Sequence, residues 1–318
     1  MNGRLATGLS QVSRDPAVLD DGGFWAVSTT FEGEFLAARF EHVESADFPK
    51  SEWKKASGHW ISSQSHDDYQ SYVRRIQDLI AQGWVYQVNA CRELSIETDS
   101  ENLRGLFSEI IANNPAPWAS YLELPEIQIA SASPELFLKR SGGQVRTSPI
   151  KGTAPLDTSD FGVKDQAENV MIVDLMRNDL GQICKSGTVS VPRLLATEIH
   201  PGLLHLVSDI EGELKEDLSW SEIISALSPP GSISGAPKSS AVKVIKENEE
   251  RRGAYCGALG WVQGDQCELS VAIRIFIKDD KLRFGTGAGI TWGSDPEKEW
   301  EETQLKARRL ISIAGGQL

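Results

Sequence analysis

The stretch "AYCGALGWVQGDQCELSVAIRIFIKDDKLRFGTGAG", residues 254–289, decides the fold. It holds three largely apolar segments, and only short polar turns separate them. We predict strands over 254–264, 267–279 and 281–289. Because no helical segment comes between them, these strands are expected to pair antiparallel rather than through parallel crossovers.

The rest of the chain mixes strands and helices without a strict alternation of the two. Further strands are predicted over 84–97 and within 118–140, and a hairpin turn is predicted at Glu32-Gly33. Apolar periodicity and terminal signals predict helices over 67–82 (capped by Gly83), 102–112, 164–180 (ending at Gly181), 220–227, a segment ending near 249, and 296–313. The pattern indicates an α+β fold of antiparallel sheets flanked by helices, with residues 1–318 in one domain.

Composition and charge limit the functional classes. Of the 318 residues, 40% are hydrophobic and 24% are charged, which is typical of a folded protein with a substantial core. The net charge of −13 disfavours non-specific binding to nucleic acid or to an anionic membrane. We predict neither as a partner, and an anionic substrate would need local positive charge or a metal ion.

The cysteines and the N-terminus indicate the cellular compartment. The four cysteines, Cys91, Cys184, Cys256 and Cys267, form no CxxC pair, and the chain has no histidines at paired zinc-ligand spacing, so we expect neither a disulfide framework nor a structural zinc site. No apolar stretch approaches the roughly 20 residues that cross a bilayer, and the N-terminus has no signal-peptide pattern. We predict a cytoplasmic protein with reduced thiols.

One lysine stands in an unusual context. Lys151 lies in "SPIKGTAP", residues 148–155, between a Pro-Ile and a Gly-Thr. A lysine usually covers an exposed face. A lysine held in a bend could instead be a nucleophile with a lowered pKa, and the residues alone leave both interpretations open.

Two glycine-rich loops invite a nucleotide-binding interpretation that the spacing does not support. In 231–240, Ala236 and Pro237 separate Gly235 from Lys238, so the phosphate-binding G-K-[ST] element is broken. In 285–293 the order is G-x-G-x-G rather than G-x-G-x-x-G. Both loops still offer glycines at which a backbone could approach a ligand closely and direct N–H groups toward it.

Two acidic pairs are candidates for a metal site. Asp165 and Glu168 are three residues apart on one predicted helix, and Glu299 and Glu302 repeat that spacing on another. Acids in a first turn can simply complement the helix dipole, here with Ser294 or Asp295 as the N-cap. Two facing helices could alternatively supply the carboxylates that Mg²⁺ prefers.

Two further polar residues lie in apolar segments. His205, in "HPGLLHLVSD", is either a buried histidine with satisfied hydrogen bonds or a catalytic group. Arg274, in "VAIRIF", is a charge within a predicted apolar strand. It either pairs with an internal acid or binds a carboxylate ligand, because a guanidinium matches a carboxylate in a bidentate fashion.

Ten short motifs in order resemble the chorismate-utilising enzymes, over about residues 67–312. The resemblance implies a chorismate-binding fold of two antiparallel sheets packed together and flanked by helices, with a catalytic core over 66–313 and a shortened strand-rich part over 1–65. The motifs are "YQVN", "SPE", "PIKGT", "KDQAENVMIVDLMRND", "HLVS", "PGSISGAPK", "YCGALGW", "IRIF", "GAG" and "EKEWEET".

Two positions suggest a branch of that family. Isochorismate and salicylate synthases carry a water-activating lysine where this chain has Gln87. Anthranilate synthases typically read Pro-Ile-Ala-Gly-Thr, whereas Lys151 gives the form found in the aminodeoxychorismate synthases. The resemblance therefore implies amination of chorismate at C4, for 4-aminobenzoate and folate biosynthesis. Anthranilate synthase component I and an inactive chorismate-binding module remain as alternatives.

The resemblance also implies roles for individual residues. Lys151 would attack C2 of chorismate, and Glu135 would give a proton to the departing C4 hydroxyl. His205 corresponds to a position that assists pyruvate loss in the anthranilate enzymes. A separate glutamine amidotransferase subunit would supply ammonia. The implied Mg²⁺ ligands are Glu168 and Glu302, supported by Glu299 and Asp165, and the implied substrate-binding residues are Arg274, Tyr255, Thr153, Gly287, Ala288, Gly289, Gly235 and Ala236.

Overall fold

The computed structural model describes residues 1, 3–154, 156, 161–200 and 203–318. The side chain of Thr153, one of the expected substrate-binding groups, lies outside the described residues. In the described part of the chain the α-helices are α1 (His66–Ala81), α2 (Arg104–Asn113), α3 (Val163–Ile183), α4 (Trp220–Leu227), α5 (Lys238–Asn248) and α6 (Pro296–Ala314).

Nineteen described strands form three sheets. Two short 3₁₀-helices cover Pro16–Asp21 and Gly231–Ile233. The strands are β1 (Arg4–Ser13), β2 (Phe24–Thr29), β3 (Phe35–Ser45), β4 (Ala56–His59), β5 (Ile61–Ser62), β6 (Gln87–Ile96), β7 (Trp118–Leu124), β8 (Ile127–Ser133), β9 (Leu136–Ser141), β10 (Gln144–Ser148), β11 (Ile150–Ala154), β12 (Ser190–His200), β13 (Leu203–Glu213), β14 (Gly235–Ala236), β15 (Ala258–Gln263), β16 (Gln266–Val271), β17 (Ile275–Lys278), β18 (Leu282–Ile290) and β19 (Gly315–Gln317).

The two large sheets are antiparallel in every described pairing. The ten-stranded sheet has the order β1-β3-β2-β15-β16-β9-β10-β13-β11, and β12 also pairs with β13. The seven-stranded sheet has the order β14-β6-β18-β17-β8-β7, and β5 pairs with β6. The third sheet is a short parallel pair of β4 and β19. This arrangement confirms the predicted α+β class of antiparallel sheets with helices.

The two large sheets share one hydrophobic core. This core includes Ile129 and Ile277 of the seven-stranded sheet together with Leu138 and Leu269 of the ten-stranded sheet. On the other face of the seven-stranded sheet, α2 and α6 pack over Phe276, which belongs to a second core. Side chains alternate between the faces of a strand, so neighbouring residues of β17 serve both cores.

Local sequence signals explain the first helix. Ser65 caps α1 and forms a reciprocal capping box with Asp68. Tyr69, Val73 and Ile76 recur at helical spacing, and all three are fully buried. The observed helix begins and ends one residue before the predicted 67–82.

The N-cap of α6 is Asp295 and not Ser294, the other candidate from the sequence. The Asp295 side chain accepts hydrogen bonds from the backbone N–H groups of Glu297 and Lys298.

The predicted end of α3 at Gly181 is wrong, because the helix continues to Ile183. A glycine within a helix costs only about 1 kcal/mol relative to alanine. Leu180 and Ile183 are both buried in the core, and their packing favours the helical conformation on either side of the glycine.

The predicted strand over 267–279 is also wrong as a single element. It is β16 and β17, which belong to different sheets. Arg274 stands between them with φ 52°, in the left-handed region that side chains rarely adopt. The chain thus leaves the ten-stranded sheet after Val271 and enters the seven-stranded sheet at Ile275.

No helix in the described part of the chain has both the length and the hydrophobicity that a bilayer-spanning segment requires.

Candidate active site

A cavity of about 980 Å³ is lined by both large sheets and by helices α3 and α6. It brings together residues that are far apart in the sequence. The candidate residues that line it are Glu135, Lys151, Asp165, Glu168, His205, Tyr255, Arg274, Gly287, Gly289, Glu299 and Glu302.

Three of the expected substrate-binding residues are not among the described residues that line this cavity. Gly235 and Ala236 form strand β14 and pair with Val88 and Gln87 of β6, which commits their backbone to the sheet. Ala288 is 1% exposed, and its side chain points to the opposite face from its two glycine neighbours.

Lys151 lies at an irregularity in strand β11. The pairing of β11 with β13 shifts register between Ile150 and Thr153, which is the signature of a bulge. Gly152 has φ 86°, and a Cβ atom there would lie 3.1 Å from the Asp165 Cβ and from the Phe161 ring. The glycine therefore allows both the left-handed backbone and the close approach of α3, and Lys151 faces the cavity.

Lys151 and Glu135 line the same cavity, and both have shifted pKa values. Burial lowers the pKa of Lys151, although Glu135 and Glu168 act in the opposite direction. Burial raises the pKa of Glu135 to about 7, although the Ser232 hydroxyl and Lys151 act to lower it. The Ser232 hydroxyl donates a hydrogen bond to Glu135 Oε1. Near neutral pH this carboxyl group is therefore partly protonated and can give up a proton.

Arg274 and His205 lie side by side in the cavity. Arg274 Nη2 is 3.4 Å from His205 Nε2. Burial lowers the pKa of Arg274 to about 10, and the charge of Glu135 partly offsets this effect. The guanidinium thus keeps its positive charge at neutral pH and can bind a carboxylate. Holding Arg274 in a left-handed backbone conformation is a local strain of the kind that functional sites accumulate.

Lys164 joins the carboxylates of α3 and α6, and Lys306 pairs with a carboxylate within α6. Lys164 Nζ lies 3.2 Å from Glu299 Oε1 and 3.8 Å from Glu168 Oε1. Lys306 Nζ lies 2.6 Å from Glu302 Oε1. Burial raises the pKa of Glu168 and of Glu299. For Glu302, the burial effect is outweighed by Lys306 and other cations, and the pKa is lowered.

These carboxylates fit a magnesium ion by their chemistry. Among the described residues, no three His, Cys, Asp or Glu side chains are grouped closely enough to bind an ion together. Mg²⁺ needs only one or two protein carboxylates, because it keeps water or substrate oxygens as its other ligands. Glu168 Oε1 is buried and has no hydrogen-bond partner among the described residues. A buried carboxylate oxygen of this kind suits a hard cation.

Three glycines of β18 form part of the cavity wall. A Cβ atom at Gly285 would lie 2.3 Å from the Tyr255 ring, and one at Gly287 would lie 2.5 Å from Cys91 Sγ. At Gly289 it would lie 2.3 Å from Gln87 Nε2. These distances are too short for any side chain, so the glycines let Tyr255, Cys91 and Gln87 pack directly on the strand.

Gly287→Ala is expected to destabilise the protein by about 1–3 kcal/mol, the usual cost of overpacking. The added methyl group would also lie 2.6 Å from the carbonyl oxygen of Ala90, and this backbone atom cannot move aside freely. Urea unfolding measures the change. Gly293→Ala is the matched control, since nothing lies within 4 Å of its added methyl group. Equal stability of the two variants would contradict the packing argument.

Sequence reasoning missed three residues of the site. Lys164 and Lys306 stand four residues from Glu168 and Glu302, and this i,i+4 spacing was a usable signal. Ser232 lies 97 residues from Glu135, so no local pattern could have shown their contact.

Comparison with known proteins identifies relatives of this chain. The family described as chorismate binding enzyme matches residues 32–312. Anthranilate synthase component 1 of Aquifex aeolicus is 34% identical over 79% of this chain and 54% of its own length. Aminodeoxychorismate synthase component 1 of Escherichia coli is 35% identical over 86% of this chain and 63% of its own length. The chain thus spans between half and two thirds of the length of these two relatives.

A solved structure shares the fold. The menaquinone-specific isochorismate synthase of Escherichia coli superposes with a TM-score of 0.81 at 18% identity, covering 98% of this chain and 85% of that one. The relatives and this neighbour carry three different activities in their names, so the fold alone does not select one.

Proposed function

The chain belongs to the chorismate-binding enzyme family, and on that premise we propose that it aminates chorismate at C4 to give 4-amino-4-deoxychorismate. This product would be a precursor of 4-aminobenzoate in folate biosynthesis. The observation that carries the proposal is the position of Lys151, which faces the cavity beside Glu135 with a pKa lowered by burial. A partly buried amine with a lowered pKa has the character of a nucleophile.

Binding of the substrate would use the positive groups of the cavity. Arg274 and Tyr255 would bind the enolpyruvyl carboxylate, and the backbone of Gly287 and Gly289 would lie along the ring. Glu168 and Glu302, with Glu299 and Asp165 in support, would hold Mg²⁺. The ion would neutralise the ring carboxylate, which a chain of net charge −13 does not attract by its overall field.

Lys151 and Glu135 would carry out the first half of the reaction. The Lys151 nitrogen forms a bond to C2, the ring double bonds shift, and the C4–oxygen bond breaks. Glu135 gives its proton to the departing oxygen, which leaves as water, and Lys151 loses one proton as its nitrogen becomes a secondary amine. The enolpyruvyl ether remains intact.

The second half would release the lysine. Ammonia forms a bond to C4, the double bonds shift back, and the bond between C2 and the Lys151 nitrogen breaks. The added nitrogen gives up a proton and the departing lysine gains one, so atoms and charge balance. A glutamine amidotransferase subunit would supply the ammonia, and the names of both curated relatives, each a "component 1", support such a division between two chains.

A coupled assay tests this function. The purified chain is incubated with chorismate, Mg²⁺ and an ammonium salt in mildly alkaline buffer, with and without aminodeoxychorismate lyase. We expect a product that the lyase converts to 4-aminobenzoate. Isochorismate, or unchanged chorismate even when the amidotransferase subunit is present, would refute the proposal.

Anthranilate formation is the second candidate, and His205 is the observation that favours it. This histidine lines the cavity beside Arg274, where the resemblance places the group that assists pyruvate loss. The 34% identical Aquifex aeolicus relative supports the same activity. Anthranilate is fluorescent, so the same incubation distinguishes the two products.

Removal of divalent cations by a chelator is expected to abolish turnover, and added Mg²⁺ to restore it. Glu168→Gln removes one carboxylate charge from the proposed Mg²⁺ site, in which Lys164 contacts both Glu168 and Glu299. We expect the Mg²⁺ concentration for half-maximal rate to rise by about 10-fold or more, because losing even a residue that only supports a metal ligand costs about 10–100-fold in affinity at other metal sites. Asp174→Asn is the control, since Asp174 is an exposed acid of the same helix. Full activity in the chelator would contradict the metal assignment.

A further inference from the structure

Arg252 is a buried arginine outside the cavity. Its side chain is 3% exposed and forms an ion pair with Glu249, whose side chain is 4% exposed. Arg252 is not one of the described residues that line the cavity, and the reaction proposed above gives it no role. Because both charges lose their hydration on burial, well-packed apolar side chains often stabilise a protein as well as such a pair does. Stability alone therefore does not explain this pair.

Every nitrogen of the Arg252 guanidinium donates a hydrogen bond. Nε and Nη2 donate to the Glu249 carboxylate at 2.8 and 2.9 Å. Nη1 donates to the carbonyl oxygen of Ile233 at 3.1 Å, and Nη2 also donates to that of Asn89 at 2.7 Å. The planar guanidinium can bind all three groups at once because its donors point in fixed directions. Arg252 thus joins two backbone segments that are far apart in the sequence.

Both of these segments belong to the cavity wall. Asn89 lies in strand β6, and Ile233 is the residue after Ser232; all three line the cavity. The Asn89 N–H group donates to the carbonyl oxygen of Ser234 at 3.0 Å, so β6 holds the backbone from that residue onward. The bond from Arg252 extends this attachment to Ile233, next to Ser232.

Neighbouring residues hold the guanidinium in place. Glu249 Oε1 accepts hydrogen bonds from the Tyr72 hydroxyl of α1 and from the backbone N–H of Cys91 in β6, both at 3.0 Å. The Glu32 carboxylate accepts a hydrogen bond from the backbone N–H of Arg252 at 2.8 Å. The arginine is therefore fixed at both its backbone and its guanidinium.

This framework bears on catalysis through Ser232. The Ser232 hydroxyl donates a hydrogen bond to Oε1 of Glu135, the proposed proton donor. A hydrogen bond weakens steeply as its distance and angle change, so a displacement of the backbone around Ser232 would weaken this one. The other groups that act on Glu135 belong to other segments of the chain: Lys151 and the backbone N–H of Ile150 in β11, Lys306 of α6, and Arg274.

We propose that Arg252 is a positioning residue, which holds the backbone around Ser232 against strand β6 and so keeps the Ser232 hydroxyl on Glu135. The inference rests on the proposed function, in which Glu135 gives a proton to the departing C4 oxygen. Burial raises the pKa of Glu135, and the Ser232 hydrogen bond acts against burial. Loss of that bond would therefore raise the pKa of Glu135 further.

Arg252→Lys tests this role, because lysine keeps the positive charge beside Glu249 but not the planar set of donors. Single-turnover formation of the Lys151 adduct is measured against pH, without ammonia. We expect the fall in rate at alkaline pH to move upward by about one pH unit, since a hydrogen bond to a charged group has roughly that effect. Ser232→Ala should move the fall in the same direction. Combining the two substitutions should add nothing further, because both remove the same contact.

Two further variants keep the test decisive. Arg251→Lys is the matched control, because the Arg251 side chain is 65% exposed and pairs with Glu34 at the surface. It should leave the pH profile unchanged. If Arg252→Lys does not fold, Arg252→Met combined with Glu249→Gln removes the bonds to the two carbonyl groups and leaves no uncompensated buried charge. This double variant should also move the fall to higher pH.

Infrared difference spectroscopy follows the protonation of Glu135 without the reaction. The stretching band of its protonated carboxyl group grows as the pH is lowered, and its absence in Glu135→Gln identifies the band. We expect the midpoint of this titration to lie at higher pH in Arg252→Lys than in the unaltered chain, and at an unchanged pH in Arg251→Lys.

The outcomes separate the two proposals. Slower adduct formation with an unshifted midpoint in Arg252→Lys would show a purely structural residue and would overturn the positioning role alone. A shift that adds to that of Ser232→Ala would also overturn it, since Arg252 would then act on Glu135 by another route. Neither adduct nor amination in the unaltered chain, even with the amidotransferase subunit, would overturn the proposed function. The infrared midpoints would still decide whether Arg252 acts on Glu135 through Ser232.

Discussion

Lys151→Ala is expected to lower kcat for ammonia-dependent turnover by at least about 10³-fold, as losses of covalent nucleophiles do in other enzymes. The alanine cannot form the bond to C2, so ammonia would have no activated intermediate to attack. KM for chorismate should change little, because the charges of Arg274 and Lys306 remain. Intact mass spectrometry of the unaltered chain with chorismate but no ammonia should show an adduct of chorismate minus water, absent in the variant.

The control for this variant is Lys243→Ala, which removes an exposed lysine of α5 and should leave turnover unchanged. Circular dichroism and the melting temperature establish that Lys151→Ala is folded. Turnover near the unaltered rate would show that the lysine acts through its charge or not at all. Loss of activity without any detectable adduct in the unaltered chain would favour an electrostatic role over a covalent one.

Much of the fold could be predicted because local patterns and tertiary packing agree. The helix over 220–227 has a capping box at Ser219 and Glu222, and its predicted bounds match the structure. The strands after residue 254 lie in antiparallel sheets, as their uninterrupted succession predicted. In these segments propensity, periodicity and end signals all favour the same element.

The break at Arg274 could not be predicted from the same patterns. Residues 267–279 have a strand-like composition throughout, and only the tertiary structure places their two halves in different sheets. A positive φ is uncommon outside glycine, so Arg274 carries no signal for it. The backbone conformation at Arg274 runs against local preference, and it places the guanidinium beside His205 in the candidate site.

In the candidate site, too, some features follow from local sequence spacing and others depend on the folded chain. The i,i+3 spacing of the acidic pairs on α3 and α6 predicted that each pair shares one face of its own helix. That the two faces meet at Lys164 is visible only in the folded chain. The contact between Ser232 and Glu135 likewise depends on the folded chain.

The site as a whole combines one partly buried amine, Lys151, with one buried carboxyl group, Glu135. Burial acts on both, and it favours the neutral form of each. A neutral Lys151 can attack, and a neutral Glu135 can donate a proton. The same desolvation therefore prepares both partners for the first half of the proposed reaction.

Glu135→Gln tests the second of these partners and is expected to lower kcat by about 10²–10⁴-fold, the usual contribution of a general acid. The amide keeps the shape of the carboxyl group and still accepts the hydrogen bond from Ser232. It has no acidic proton to give to the departing C4 oxygen. Single-turnover formation of the Lys151 adduct, measured without ammonia, isolates this step.

The pH dependence of adduct formation gives a second readout with a defined sign. Glu135 has a pKa of about 7, so it holds its proton below that pH and loses it above. In the unaltered chain the rate should fall as pH rises through this range, and Glu135→Gln should lack that fall. Since the Ser232 hydrogen bond lowers the pKa of Glu135, Ser232→Ala should move the fall to higher pH. An identical alkaline fall in Glu135→Gln and the unaltered chain would assign the proton to another group.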